Sequence, residues 1–438
     1  MYKIKKGLDL PISGNPLPEI EESSKISSAA ILGSDYIGLK PSMMVKVNDF
    51  VEIGQKLLED KKNPGVFITA PASGVVSAIN RGEKRRFLSL EIDISNDDKF
   101  KEFNTSNDKV SLSSLLQDSG LWSSFRTRPF NRTPEVDSSP EAIFVNACDT
   151  NPLSIDPFII ISEDQDLFDL GLSALNDIFE IPVHCCYQNN NFNQNIDKIQ
   201  YHQFIGPHPS GLSSTHIHNI HPVNKDRVVW TIGFQECISI GYILKNKKLR
   251  TSKTIALGGE GFLKPKLIKA RYGANISSIA AGNIKETSRL ISGSPIFGHD
   301  ADSAMDYLGA FHNQVCAIPD EYEEVFLNWL MPGSSIHSKL NVFLSAFIKP
   351  NKFRFNTAMN GSDRAIVPIG SYEEVMPMNI MVTQLLKALA TYDIEMLVDL
   401  GVLELCDEDL ALCSYVCPSK YDYSSLLVEN LERIYNEM

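Results

Sequence analysis

Val45-Lys46-Val47-Asn48-Asp49-Phe50-Val51-Glu52-Ile53-Gly54-Gln55-Lys56-Leu57, followed by Ala70-Pro71-Ala72-Ser73-Gly74-Val75-Val76-Ser77-Ala78-Ile79, decides the architecture at the start of this chain. Apolar residues alternate in short β-type runs, punctuated by Asn-Asp, Gly and Pro, which is the grammar of hairpins. Each half carries its own phrase, V-x-x-G-Q-x-L from Val51 and A-P-x-x-G-x-V from Ala70.

This arrangement is similar to the barrel-sandwich fold of biotinyl and lipoyl carriers, in which a lysine at the tip of the intervening hairpin is modified. Here the hairpin is Glu59-Asp60-Lys61-Lys62-Asn63-Pro64-Gly65, longer and without a Met-Lys-Met type tip. A swinging arm on Lys61 or Lys62 and a solvated turn are the two readings. The sequence favours the turn: a carrier-like fold without the carrier chemistry.

Outward from this domain, the chain has 438 residues, room for about three or four domains. With 41 basic and 54 acidic residues its formal charge is −13, which argues against nucleic-acid phosphates as a partner. Hydrophobic content of 43% excludes a disordered chain. The most apolar long stretch, Val228 to Leu244, is interrupted by Gln235 and Glu236 and is too short to span a bilayer. The basic start Lys3-Ile4-Lys5-Lys6 lacks the apolar run of a signal peptide. Eight cysteines, two adjacent at Cys185-Cys186, lack the density of a disulfide framework, so a reducing cytoplasm with free thiols is expected.

A polar, serine-rich segment from Asp97 to Ser119 marks a boundary near residue 100. Beyond it, Ala142–Ala147 and Phe158–Ile161 read as buried strands. Asp166–Phe179 reads as a helix carrying Leu167, Leu170, Leu175 and Ile178, and Ile181–Cys185 as another strand. Alternation of strand and helix predicts an α/β layer. A helix from Trp230 to Lys247 would line Gly233, Cys237 and Gly241 along one close-packing face. Short strands are expected at Ile255–Leu257, Lys266–Ala270 and Arg289–Ile291, with a closing turn of β-grasp type at Ile291–Gly298. After about Leu340 the pattern turns helical, with Val382, Leu385, Leu386 and Leu389 on one face. Asp393 is an expected N-cap, Gly401 a C-terminal cap, and Ser424 the start of a last helix bearing Leu427, Leu431 and Ile434.

Four constellations bear on chemistry. Gly258-Gly259-Glu260-Gly261 follows a strand, but the third fingerprint glycine is missing and Pro265 spoils the helix that should receive a pyrophosphate. Five histidines crowd together at His202, His208, His216, His218 and His221, with His216 and His218 on one strand face. Zinc, a hydrogen-bonded structural loop, and a proton-handling or quinone-contacting role all remain open there. Cys413 and Cys417-Pro418 fit the last two ligand positions of an iron–sulfur run, but Leu410 and Asp407 occupy the first two and Cys406 is one residue out of register. Finally, Gly120 to Phe130 sets aromatics beside Arg126 and Arg128. A flat headgroup with two carbonyl oxygens would stack and hydrogen-bond there; an arginine-anchored domain junction fits equally well.

Taken in order, several long phrases resemble one family, NqrA, the A subunits of the sodium-translocating NADH:quinone reductases. They include Lys3–Gly14, Glu59–Gly65, Arg126-Thr127-Arg128-Pro129-Phe130, Asp149-Thr150-Asn151-Pro152-Leu153 and Gly206-Pro207-His208-Pro209. Asn360-Gly361-Ser362-Asp363-Arg364 and Leu410–Pro418 complete the series, which spans essentially the whole chain. The departure Phe234-Gln235-Glu236-Cys237, where the family usually has Tyr-Gln-Asp-Val, is conservative.

The resemblance implies an α+β multidomain protein with a biotinyl/lipoyl-like barrel-sandwich, a Rossmann-like α/β layer, a β-grasp module and a C-terminal helical domain. Expected boundaries are an arm at 1–28, the barrel-sandwich at 29–100, the Rossmann-like unit at 101–253, the β-grasp (SLBB-like) unit at 254–335, and helices with a degenerate iron–sulfur motif at 336–438. It also implies a peripheral component on the cytoplasmic side of the bacterial inner membrane, docked on the membrane-embedded B subunit. The complex would reduce ubiquinone with electrons from NADH, coupled to sodium export. This chain would bind no redox cofactor or metal; NAD, flavins and iron–sulfur centres would sit on partners, and the isolated chain would not be catalytic. Residues expected at a ubiquinone site are Leu32, Gly33 and Tyr36, with Trp122, Arg128 and Phe130. The competing readings are an iron–sulfur or flavin electron-transfer component of an Rnf-type complex, and an acyl or biotin carrier.

Overall fold

The computed structural model describes residues 1–105, 109–320, 331–339, 342–348, 352–359, 362 and 364–437. Residues 360, 361 and 363 of the Asn-Gly-Ser-Asp-Arg phrase, and 321–330 at the end of the expected β-grasp unit, lie outside the described residues. The chain is an α+β multidomain protein with a helical C-terminal region.

The barrel-sandwich consists of two antiparallel sheets. One pairs Ser28–Leu32, Phe87–Ile94, Gly74–Arg81 and Phe50–Val51; the other pairs Pro41–Met43, Lys56–Asp60 and Phe67–Thr69. Alternation places Val51, Leu57, Ile68, Val76, Leu90 and Ile92 in the core between them, and turns Phe50 and Val75 to solvent. The hairpin after Asp60 is held down: Asn63 is buried and its Nδ2 donates to the carbonyl of Pro134 at 2.9 Å.

The α/β layer is a six-stranded sheet ordered Tyr2–Lys3, Ile199–Ile205, Val183–Tyr187, Ile143–Ala147, Val229–Gly233, Arg126–Arg128. Every pair is parallel except the last. Helices Lys109–Ser119, Gln165–Phe179 and Phe234–Asn246 cover one face, and Ser213–Ile220 the other.

Several local expectations change here. Phe158–Ile161 is helical, within Pro157–Glu163, because Asp156 caps it through Phe158 N and Pro157 presets the first turn. A short apolar run does not distinguish the two states, and the cap decides. The Trp230–Lys247 segment is a buried strand to Gly233 and only then a helix. His216 and His218 lie on a helix, not a strand. In helix Gln165–Phe179, Leu170 is exposed and Phe168, Leu172, Leu175 and Ile178 form the buried stripe.

A third sheet is mixed: Phe297–Asp300, Ser288–Ser294, Gln314–Pro319, Ser252–Gly258, Lys266–Arg271 and Leu17–Glu22. The N-terminal segment thus completes one edge of two separate sheets. Gly258-Gly259-Glu260-Gly261 turns directly toward Lys266–Arg271 with no helix following. Gly259 sits at φ +108°, and a Cβ there would lie 2.2 Å from the carbonyl oxygen of Ala317, so close backbone approach explains this glycine.

In the C-terminal region, helix Val382–Thr391 buries Val382, Leu385, Leu386 and Leu389. Asp393 caps the next helix through Met396 N, and Gly401 adopts φ +88°. The last helix, Tyr423–Glu437, has Asp422 accepting from Ser425 N at 3.1 Å, while Ser424 Oγ donates to the carbonyl of Asp407. Asp422 rather than Ser424 therefore satisfies its first turn. No helix of the described residues is long and apolar enough to cross a membrane.

Candidate functional site

Where the barrel-sandwich, the α/β layer and the third sheet meet, they leave a cleft of about 860 Å³ including its open mouth. The barrel contributes Asp35 and Tyr36 from the turn after Leu32, with Ile53 and Ile68. The α/β layer contributes Leu121, Ser123, Glu236, Ser239 and Arg250. The third sheet contributes Tyr272, Leu308 and Phe311. Rings and aliphatic groups supply most of the exposed wall, with several serines and the charged Asp35, Glu236 and Arg250 among the lining residues.

Arg126 bolts this junction together. Its Nη1 donates to the carbonyls of Ser123 (2.7 Å) and Phe125 (2.8 Å) and its Nη2 to the carbonyl of Asp35 (2.9 Å). Its guanidinium lies 3.9 Å from the Phe311 ring centroid and 5.4 Å from that of Tyr36, a cation stacked between two walls of the cleft. Burial draws its pKa down to about 10. Asp35 Oδ2 accepts from the Ala310 amide at 2.9 Å, and burial raises its carboxyl above the usual range. Lys253, fully buried, donates to the carbonyl of Ala310 at 2.8 Å, and burial draws it down to about 8. Tyr272 Oη and Ser239 Oγ are 2.9 Å apart. Ser239 donates to the carbonyl of Gln235, so the tyrosine is the donor to Ser239.

The expected site residues divide between two sides of one turn. Tyr36 lines the cleft, and its ring meets Phe311 edge-on at 5.9 Å. Leu32 and Gly33 stand behind it: Leu32 packs with Ala30 and Tyr307, and a Cβ on Gly33 would lie 2.4 Å from the carbonyl oxygen of Phe87. Trp122 is buried in the α/β core, its ring 5.5 Å from Trp230 and its Nε1 donating to the carbonyl of Pro134 at 3.0 Å. Arg128 and Phe130 face the C-terminal helices. Arg128 bonds to Asn131 and Ser214, and the Phe130 ring meets Tyr435 at 5.2 Å. Phe130 shares a small second cavity with Ile37, the neighbour of Tyr36. Sequence reasoning misses Phe311, Tyr272, Glu236 and Arg250, which come from segments that carry no phosphate, metal or nucleophile motif.

The crowded histidines disperse, because helical residues two apart do not share a face. His216 Nε2 bonds the carbonyl of Ser210 at 2.9 Å, His218 Nδ1 meets Glu404 at 2.7 Å, and His208 Nδ1 meets Thr150 at 3.2 Å. Burial lowers His216 to about 3 and His208 to about 4, so both are neutral near pH 7. Among the described residues no three His, Cys, Asp or Glu side chains converge as metal ligands. Cys413 and Cys417 are buried in the helical core, where Tyr372 Oη donates to Cys417 Sγ at 3.1 Å.

A half-buried acidic group clamps the C-terminal helices to the α/β layer. Glu408 Oε1 accepts from Asn151 Nδ2 at 3.1 Å. Burial pushes Glu408 up to about 8; Asp409, Asp149 and Asp407 add repulsion, and the Asn151 bond opposes it. A raised carboxyl keeps its proton in the folded protein after the unfolded chain has lost it, from about pH 4.5 upward. Its contribution to stability should therefore fall as pH rises from about 4.5 through about 8. Glu408→Gln should flatten that profile and recover roughly 1–3 kcal/mol above pH 8, the cost of a buried polar mismatch. Thermal midpoints of both proteins across pH 5–9 check this; parallel curves would refute it.

Known relatives match the sequence along its whole length. Residues 2–95 match the NqrA N-terminal barrel-sandwich hybrid domain, 107–249 the NqrA second alpha/beta domain, and 254–303 the NQRA C-terminal domain. The chain is thus a multidomain protein of NqrA type. It is 46% identical over 448 aligned residues to the A subunit of the Na(+)-translocating NADH-quinone reductase of Neisseria meningitidis serogroup B. It is 45% identical to those of Hahella chejuensis and Pseudomonas aeruginosa, with 100% of each chain covered in all three. The chain belongs to the NqrA family, the A subunits of the Na(+)-translocating NADH-quinone reductases. A solved NAD+-reducing [NiFe]-hydrogenase chain is similar over 48% of this chain and 47% of its own, at 11% identity and a TM-score of 0.36, too slight to carry structural argument.

Proposed function

We propose that this chain is the peripheral, cytoplasmic-side component of a bacterial inner-membrane Na+-translocating NADH:quinone reductase, and that the three-domain cleft holds a ubiquinone headgroup. The observation behind this is the cleft itself: Tyr36, Phe311 and Tyr272 wall it together with Ile53, Ile68 and Leu308. A flat, weakly polar ring suits such walls, since aromatic pairs contribute about 0.5–1.5 kcal/mol beyond their buried area. In this reading Tyr36 touches the ring, Leu32 and Gly33 set the turn that presents it, and Trp122, Arg128 and Phe130 act through packing.

The chain itself carries no redox cofactor in this proposal. NADH oxidation, flavins and iron–sulfur centres belong to partner subunits, and docking is on the membrane-embedded B subunit. Sodium passes through the membrane part. The complex, not the isolated chain, is the enzyme.

Calorimetric titration of the purified chain with a short-tail ubiquinone tests the site. Saturable binding is expected, weakened about tenfold by Tyr36→Ala and by Phe311→Ala, the size of one lost aromatic contact at an anchor position. Absence of binding would leave the chain a scaffold, with quinone handled wholly by its partners.

A further inference from the structure

Two buried polar atoms at the cleft have no hydrogen-bond partner among the described residues: Glu236 Oε1 and Arg250 Nη1. Both belong to residues that line the cleft. Glu236 is 7% exposed, held at the start of helix Phe234–Asn246. Arg250 is anchored from the other side, its Nη2 donating to Asp164 Oδ2 at 2.7 Å, which leaves Nη1 as the spare donor. Leaving such groups unmet is costly, so their retention beside an open cleft asks for a partner.

The two atoms are opposite in kind. A carboxylate oxygen accepts and does not donate, whereas a guanidinium nitrogen donates and does not accept. A ring with two carbonyl oxygens satisfies the arginine and sets its other oxygen against a carboxylate. A ring with two hydroxyls satisfies both, donating to Glu236 and accepting from Arg250.

We infer that Glu236 and Arg250 make this cleft selective for the reduced, hydroxyl-bearing form of its ligand, the quinol over the quinone, with Glu236 as the discriminating residue. The inference rests on the quinone reading above and adds to it which redox form is retained. It involves binding alone, with no electron or proton transferred in the site.

The test is anaerobic titration of the full chain with a short-tail ubiquinone and, separately, its quinol. The unaltered protein should bind the quinol roughly tenfold or more tightly than the quinone, the discrimination expected of one unmet buried polar group. Glu236→Gln, whose amide can donate, should bring the two affinities together by strengthening quinone binding. Equal affinities in the unaltered protein overturn the inference without needing any variant. So does a preference that survives in Glu236→Gln, while the quinone site itself stands. Binding of neither form overturns the quinone reading and this inference with it.

Discussion

Gly241→Ala should cost about 3 kcal/mol or more and sharply lower the unfolding midpoint of the α/β layer. Helices Gln165–Phe179 and Phe234–Asn246 cross at this glycine, and a Cβ would lie 1.9 Å from the carbonyl oxygen of Leu167 and 2.8 Å from its carbon. The obstacle is helix backbone, so no rotamer change relieves it; the helices must separate. The facing position is built the same way, since a Cβ on Gly171 would lie 2.1 Å from the carbonyl oxygen of Cys237. Alanine in a helix interior gains about 1 kcal/mol over glycine, which only partly offsets the clash. Separation would also loosen Phe168, Leu172 and Ile238, all fully buried between these helices and the sheet. Scanning calorimetry of Gly241→Ala beside the unaltered chain decides the matter. A midpoint that stays level or rises would mean that the helices have slack here.

Trp122→Ala should be comparably damaging, about 3–5 kcal/mol for an aromatic removed from a packed core. Trp122 is 1% exposed, with Phe125 at 5.9 Å, Phe179 at 6.0 Å and Trp230 at 5.5 Å between ring centroids. Its Nε1 shares the Pro134 carbonyl with Asn63 Nδ2, so the same acceptor fastens the α/β core and the hairpin of the barrel-sandwich. Trp122→Phe keeps most of the ring and loses the donor, and should cost far less, near ~1–2 kcal/mol. If Trp122 contacted the ligand instead, the alanine variant would keep its unfolding midpoint and lose quinone affinity. Chemical denaturation and titration on the same preparation separate these outcomes.

Much of the architecture is legible along the chain. The barrel-sandwich follows from alternation between Val45 and Ile79 because each strand buries one face and wets the other, and a period of two records that directly. Helices Gln165–Phe179 and Val382–Thr391 are legible for the matching reason at a period near four. The Asp393 cap and the Gly401 turn are local backbone chemistry and read equally well. Cys237 and Gly241 announce a close helix contact, although their spacing does not reveal the partner, helix Gln165–Phe179.

The cleft is legible only in part. Of the six residues expected at a quinone site, Tyr36 lines it, and Arg126, two residues before Arg128, proves to be the arginine stacked at its wall. Trp122, Arg128 and Phe130 carry the same aromatic and cationic chemistry but pack elsewhere, because composition does not reveal which way a side chain turns.

From the sequence by itself come many of the strands and helices, several caps, and the family whose phrases run from Lys3 to Pro418. All of these depend on residues near one another along the chain, where sterics and one-sided burial leave a periodic trace. Only the tertiary structure decided that Tyr2–Lys3 and Leu17–Glu22 complete different sheets, and that Tyr36, Glu236, Arg250, Tyr272 and Phe311 meet around one space. Those outcomes depend on which buried faces find each other across hundreds of residues, and the packing that chooses between them leaves no period to read.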